Sequence, residues 1–354
     1  MSDKRILVYR LGSLGDTIVV LPSFHLVREA FPDAQITLLT NVPASGKAAP
    51  IADILGAAYP FHEVISYPAG TRSFAELLGL VRSLRSRKFS HCVYLAKPKG
   101  GVVNLLWDWA LFKTAGIRRV VGVPWRRKDR LCLPLPGSDL VEWDALRTLR
   151  CIAPLGSPDL EDGKWWDLGL SDFEQAEAGK CLRAFGGQPI VGLSIGSKAP
   201  SKDWEDQRWL PFLKLFHSRY PDFRGVFVGS GDERERCQRL LEESGLPGTN
   251  LCGVVGPRVS AAVLAKARIF VGHDSGPMHL AACMGVPVVA VFSARNHAGE
   301  WYPRGGVLRN RIIYHKTECA GCGLVDCVVE KKRCIASITP LVVLEACGQI
   351  LDQV

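Results

Sequence analysis

Across 354 residues, no stretch approaches the roughly 20 uninterrupted apolar residues that a membrane-spanning helix needs. The opening MSDKRILVYRLGSLGD also lacks the extended apolar segment of a secretory signal. Together these absences predict a cytoplasmic protein. No low-complexity tract and no short internal repeat interrupts the chain. Acidic residues are outnumbered, 35 against 44 Lys and Arg, and the formal charge of +9 favours an anionic partner. A nucleotide, a phosphorylated glycan, an anionic lipid and a nucleic acid all satisfy that charge.

What is present is a globular composition, 47% apolar and 22% charged, which excludes wholesale disorder and a fibrous chain. The length predicts two domains of about 170 residues each. In the first half, strands at Ile6–Tyr9, Gln35–Leu39, His91–Leu95 and Val120–Val123 alternate with helical patterns at Leu14–Phe31, Phe74–Arg85 and Val102–Ala115. Such alternation predicts a mostly parallel sheet covered on both faces. The Gly, Pro, Ser and acid-rich stretch Gly156–Asp172, with Trp165 and Trp166 at a hinge, places a linker at 161–172 between domains 1–160 and 173–354.

The second half repeats the logic. Strands are predicted at Pro189–Ser194, Gly225–Gly229, Arg268–Gly272 and Val286–Phe292. Helices are predicted near Trp209–Arg219 and at Asp232–Glu243, Ser260–Ala267, Gly276–Met284 and from Ile338 onward. Two doubly wound domains facing each other would gather the carboxyl ends of their strands around one cleft.

Arg10-Leu11-Gly12-Ser13-Leu14-Gly15-Asp16 follows the first strand and opens a helix, so its glycines allow a tight turn and its carboxylate points from the sheet edge. Asp16 reads equally as a helix cap or as a reactive carboxylate. The turn lacks the full GxGxxG spacing, and Thr40 and Asn41 stand where a dinucleotide fold carries an acid, which argues against nicotinamide.

Three loops in the second half have ligand chemistry. Ser194-Ile195-Gly196-Ser197-Lys198, followed by Ser201-Lys202-Asp203-Trp204, offers small polar residues and lysine to a phosphate, or is a solvated basic loop. Gly229-Ser230-Gly231-Asp232-Glu233 offers an acid to ribose hydroxyls, or caps a helix. His273-Asp274-Ser275-Gly276-Pro277-Met278-His279 places Asp274 and Ser275 at a helix N-terminus suited to a diphosphate, with His279 one turn on, either facing the cleft or packed in the core.

Taken in order and spacing, RLGSLGD, SKDWEDQRW, GSGDERE and HDSGPMHLAA resemble glycosyltransferase family 9, the ADP-heptose:lipopolysaccharide heptosyltransferases. The resemblance spans nearly the whole chain. It implies a GT-B architecture: two Rossmann-like domains facing a shared interdomain cleft, the acceptor on the first and the nucleotide sugar on the second. It implies inverting transfer of a heptose from ADP-heptose to a hydroxyl of a lipopolysaccharide inner core or related glycan, with no cofactor required for catalysis. Asp16 then matches the general base, Lys202 the lysine at the donor phosphates, and Glu233 the acid at the ribose. Asp274, Ser275, Gly276 and His279 match the diphosphate and sugar loop, with Ser194 beside them.

Basic residues of the first half, Arg10, Lys97, Lys99, the Arg118/Arg119 pair, Arg126 and Arg127, are candidates for the anionic acceptor or are solvated surface charge. A lipid-linked acceptor also implies peripheral work at the cytoplasmic face of the inner membrane, and no nucleic acid partner. Two other readings remain: the same fold with another donor or a protein or natural-product acceptor, and a noncatalytic nucleotide-sugar-binding protein.

Of the 12 cysteines, eight lie scattered in apolar segments as reduced core residues. Cys319, Cys322, Cys327 and Cys334 cluster, enough in number for a structural zinc or iron site, yet spaced more tightly than the knuckles of a zinc ribbon. Some relatives of the resembled family carry a similar segment, and iron is bound there in certain protein heptosyltransferases. Plain reduced thiols are the competing reading.

Overall fold

A computed structural model of the chain describes residues 4–42, 50–56, 61–68, 73–97, 101–328 and 330–352. The chain divides into two compact units, Met1–Gly137 with Glu142–Gly169, and Ser138–Val141 with Leu170–Val354.

The first unit is built on five parallel strands, β1 (Arg5–Tyr9), β2 (Gln35–Val42), β3 (Glu63–Pro68), β4 (His91–Tyr94) and β5 (Arg119–Val121), in the order β3-β2-β1-β4-β5. β1 lies centrally, and four of its five residues are buried, the near-continuous apolar run expected of a strand covered on both faces. Leu7, Tyr9, Leu39, Cys92 and Tyr94 join Leu84, Leu105 and Phe112 from two covering helices in one core.

The predicted single helix Leu14–Phe31 is two helices, Leu14–Val19 and Leu21–Ala30, meeting at Val20. Pro22 explains the break: it lacks the N–H that would bond to Ile18, and its ring crowds that carbonyl. Trp165 and Trp166 are buried within this first unit, where Trp166 stacks on Trp143 with ring centroids 5.1 Å apart.

The second unit carries six parallel strands, β6 (Ile190–Ser194), β7 (Arg224–Phe227), β8 (Gly248–Asn250), β9 (Ile269–His273), β10 (Val288–Phe292) and β11 (Arg311–Tyr314), in the order β11-β10-β9-β6-β7-β8. An aromatic cluster of Trp204, Trp209, Phe212 and Phe216 packs under the helix Asp206–Arg219, and Trp204 donates its indole N–H to the Ile338 carbonyl at 2.9 Å. The closing helix runs Pro340–Leu351.

Each sheet has one switch point, where chain order reverses: between β1 and β4 in the first unit, and between β6 and β9 in the second. Connections leaving two such neighbours diverge to opposite faces and open a crevice at the strands' carboxyl ends, where ligands of such sheets bind. The sequence motifs singled out above leave β1, β6, β7 and β9 at that edge.

Candidate active site

In the first unit the turn after β1 is shaped around Asp16. Gly12 has φ +139°, and a Cβ there would lie 2.5 Å from the Asp16 Cβ, so only glycine admits the carboxylate at this place. Ser13, the residue before the helix Leu14–Val19, donates both its N–H and its hydroxyl to Asp16 Oδ2 at 2.9 Å. The Asp16 side chain keeps 32% exposure, while Arg10 behind it has none.

Arg10 bridges the switch point. Its Nη1 donates to the Leu95 carbonyl beyond β4 at 2.6 Å, and its Nη2 donates to the Asp16 carbonyl at 2.5 Å. Nη2 also stands 3.9 Å from Asp16 Oδ1. Burial alone would raise the Asp16 pKa, but the Arg10 charge and the two Ser13 hydrogen bonds outweigh it and hold the group below its ordinary value. The result is a carboxylate that is ionised at neutral pH and partly open to solvent.

A second acid lies deeper. Asp144 is fully buried, accepts from Arg147 Nε at 2.7 Å, and lies 3.7 Å from Lys97 Nζ. Burial opposes its ionisation, yet Arg147, Lys97 and Arg10 together bring its pKa down to about 2. The sequence pattern does not set Asp144 or Arg147 apart. The available signal was their i, i+3 spacing on one helix, a pattern shared by many surface ion pairs.

In the second unit the motifs after β6 and β9 meet across the switch point. Lys202 Nζ donates to Asp274 Oδ2 at 2.5 Å and to the Asp274 carbonyl at 3.2 Å, with side-chain exposures of 16% and 6%. Asn296 Nδ2 donates to the same Oδ2 at 3.3 Å. His273, at the end of β9, fixes the loop: its Nε2 accepts the Trp204 N–H at 3.0 Å. Full burial drives its pKa down to about 4, so the imidazole is neutral and retains that lone pair. His273 went unassigned in the sequence, although it adjoins Asp274.

Glu233 fills a space left by two glycines. A Cβ on Gly196 would lie 1.8 Å from its Oε1, and one on Gly229 would lie 2.0 Å from its Oε2. Burial raises the Glu233 pKa, with the Ser230 hydrogen bonds only partly opposing it. Ser275 precedes the helix Gly276–Cys283, and its Oγ is buried with no hydrogen-bond partner among the described residues. Ser194, at the end of β6, is 1% exposed.

Against known proteins, residues 147–322 match the model of "Glycosyltransferase family 9 (heptosyltransferase)". A lipopolysaccharide heptosyltransferase 3 of Escherichia coli is 22% identical over 301 residues, covering 80% of this chain and 82% of that protein. The chain belongs to glycosyltransferase family 9. Lipooligosaccharide heptosyltransferase 2 of Campylobacter jejuni is 25% identical over 170 residues, 47% of this chain and about half of that protein's length, 52%. The solved structure of the E. coli ADP-heptose lipopolysaccharide heptosyltransferase II superposes with a TM-score of 0.69 at 19% identity, covering 99% of each chain. The two parallel-sheet units are thus the two Rossmann-like halves of a GT-B glycosyltransferase.

Several expectations for this family 9 chain change with the geometry. Arg10 cannot receive acceptor anions as a surface cation, because its guanidinium is wholly buried and committed to Leu95 and Asp16. His279 is 4% exposed, its ring against Trp301 at a centroid distance of 6.4 Å, which fits the packed reading rather than one open to a cleft. Lys97 is turned toward Asp144 but remains 31% exposed. Arg126 and Arg127 are exposed at the start of the short helix Arg127–Arg130, and Lys99 lies outside the described residues.

The four clustered cysteines do not assemble a metal site: among the described residues no group of three or more His, Cys, Asp or Glu is placed to hold an ion. Cys327 Sγ instead accepts the Lys332 N–H at 3.3 Å, and Cys319 Sγ lies 3.4 Å from the Thr317 hydroxyl. Cys322 is exposed, and Cys334 sits in the short helix Arg333–Ala336.

Proposed function

We propose that this chain transfers a heptose from ADP-heptose to a hydroxyl of a lipopolysaccharide inner core, with inversion at the anomeric carbon and no catalytic cofactor. The observation that carries the reading is the setting of Asp16: an ionised, half-open carboxylate on a glycine turn at a switch point, backed by a buried arginine. The names of the matched relatives, all lipopolysaccharide or lipooligosaccharide heptosyltransferases, supply the substrate class.

Chemically, the acceptor oxygen forms a bond to the anomeric carbon while the bond from that carbon to the ADP oxygen breaks on the opposite face. The hydroxyl proton passes to Asp16, with Ser13 holding Oδ2 and Oδ1 left to receive it. ADP departs with the electron pair. Lys202 and the N–H groups opening the helix Gly276–Cys283 stabilise the charge that develops on the diphosphate. Before the donor arrives Lys202 is paired with Asp274, so the diphosphate draws a pre-placed ammonium from a carboxylate rather than ordering a mobile lysine. Glu233 accepts from the ribose hydroxyls. Lys97, Arg126 and Arg127 meet acceptor anions.

No helix among the described residues is long and apolar enough to cross a membrane. The proposed acceptor is nevertheless lipid-anchored, so the enzyme meets it from the cytoplasmic side by peripheral contact.

The test is a panel of nucleotide sugars offered to the purified protein. ADP-heptose at a hundredfold excess over its Kd should add about 2.7 kcal/mol of stability, read as a raised Tm. A heptose-deficient lipopolysaccharide should gain the mass of one heptose. Stabilisation by a different nucleotide sugar, with none by ADP-heptose, would overturn the donor assignment.

A further inference from the structure

The helix Val102–Thr114 is apolar on nearly all sides, VVNLLWDWALFKT, yet only Leu105 and Phe112 are buried. A helix apolar all round is ordinarily enclosed. Here Val103 is 65% exposed, Leu106 49% and Trp107 71%. Tyr94 at the end of β4 donates its hydroxyl to Asp108 Oδ2 at 2.7 Å, tying the inner face of the helix to the sheet. The outer face therefore stays where it is.

The patch extends beyond the helix. Trp109 meets Trp125 edge-on at 6.3 Å between centroids, and Trp125 is itself 40% exposed. Exposed cations adjoin these rings in sequence: Lys113, Arg118, Arg119, Arg126, Arg127 and Lys128 fall within the sixteen residues 113–128, a stretch with no acidic residue, and Asp129 follows it. Lys113 Nζ lies 5.5 Å above the Trp109 ring.

We propose that this face docks on the surface of an anionic phospholipid bilayer. Tryptophan and leucine enter the headgroup boundary while lysine and arginine meet lipid phosphates, the division of labour of interfacial segments. Charge selects this occupant over a second copy of the chain, since two copies meeting here would bring two cationic rims together. Tryptophan, unlike a wholly aliphatic patch, suits a boundary that is apolar on one side and wet on the other. The proposal rests on the reading of a lipid-anchored acceptor for its purpose, because docking would hold the first unit beside such a molecule.

The experiment is vesicle flotation without donor or acceptor, so its failure leaves the proposed transfer reaction untouched. The wild-type chain should float with vesicles of phosphatidylethanolamine and phosphatidylglycerol, weakly with phosphatidylcholine alone, and less as salt rises. Trp107→Ser with Val103→Ser should weaken partitioning by at least about 10-fold. Both side chains are mainly exposed, so the Tm and the turnover of a detergent-dispersed acceptor should be unchanged. Arg126→Ser with Arg127→Ser should weaken partitioning by roughly 25-fold, about 5-fold per charge. Equal binding to neutral and anionic vesicles overturns the proposal. So does a lipid-free dimer that Trp107→Ser dissociates, which would assign the face to self-association.

Discussion

Arg10 lies directly behind Asp16, donating to its carbonyl at 2.5 Å and standing 3.9 Å from its carboxylate, while remaining wholly shielded from solvent. One buried cation thus fixes both the backbone and the charge of the proposed base. Asp16→Asn should lower kcat by about 10²- to 10⁴-fold and leave ADP affinity unchanged, since the side chain belongs to the first unit and the proposed donor residues to the second. Arg10→Gln tests the coupling. The Asp16 pKa is depressed chiefly by Arg10 and Ser13, so activity should fall only in acid, as Asp16 is protonated. Without Arg10 that acid limb should move to higher pH in a plot of log kcat/KM. An unmoved limb would show that Arg10 only braces the turn.

Gly12 makes a separate claim about the same carboxylate. A methyl group there enters a position 2.5 Å from the Asp16 Cβ, on a backbone with φ +139° that side chains rarely adopt. Gly12→Ala should therefore displace Asp16 and lower kcat by roughly 100-fold, the scale of a misplacement of about 1 Å. The KM for the donor should hold. Parallel rises in donor KM would indicate wider damage and refute this local account.

Much of the fold could be read from the strands that became central. β1, β6, β9 and β10 are short apolar runs, nearly or wholly buried, and each stood out from its neighbours. β3, β8 and β11 did not. β3 is an edge strand, Glu63–Pro68, with no buried residue, and β8 has three residues, so neither carries the apolar signal that burial imposes. The turn residues Gly12, Asp16, Gly196, Glu233 and Asp274 were visible because glycine beside an acid at a strand's end is unusual. Asp144 and Arg147 were not, because a charged pair on a helix reads as surface, and only the folded chain reveals them as buried. Arg10, in the turn after β1, likewise reads as a surface cation and is buried only in the folded chain.

Glu233 occupies space that Gly196 and Gly229 leave open, and its pKa is raised by burial. In the proposed role, the carboxylate accepts hydrogen bonds from both ribose hydroxyls only when it is ionised. ADP affinity should then decline as pH falls, and begin to do so at a higher pH than an ordinary carboxylate would allow. Gly196→Ala should push the carboxylate aside and weaken ADP by about 10-fold or more, the worth of a hydrogen bond to a charged group. Calorimetric titration across acid pH reads both effects. A pH-independent affinity, equal in wild type and variant, would remove Glu233 from the donor site.

Asp144 carries a stability claim with a definite sign. Its carboxyl is held near pKa 2 in the folded chain by Arg147, Lys97 and Arg10, against about 3.9 for an unfolded aspartate. A depressed folded pKa means that the unfolded chain takes up protons first. The contribution, on the order of 2 to 3 kcal/mol, is therefore complete above about pH 5 and is lost as pH falls through the folded value. Asp144→Asn leaves Arg147 buried without its counter-charge, and should cost about 3 to 5 kcal/mol at neutral pH, read as a lower urea midpoint. Adding Arg147→Met should restore part of that loss, because the stranded charge is then gone. Were Asp144→Asn as stable as wild type at pH 7, the buried pair would have no net role in folding. Were the double variant the less stable by the simple sum of both changes, the two groups would be acting independently despite their 2.7 Å contact.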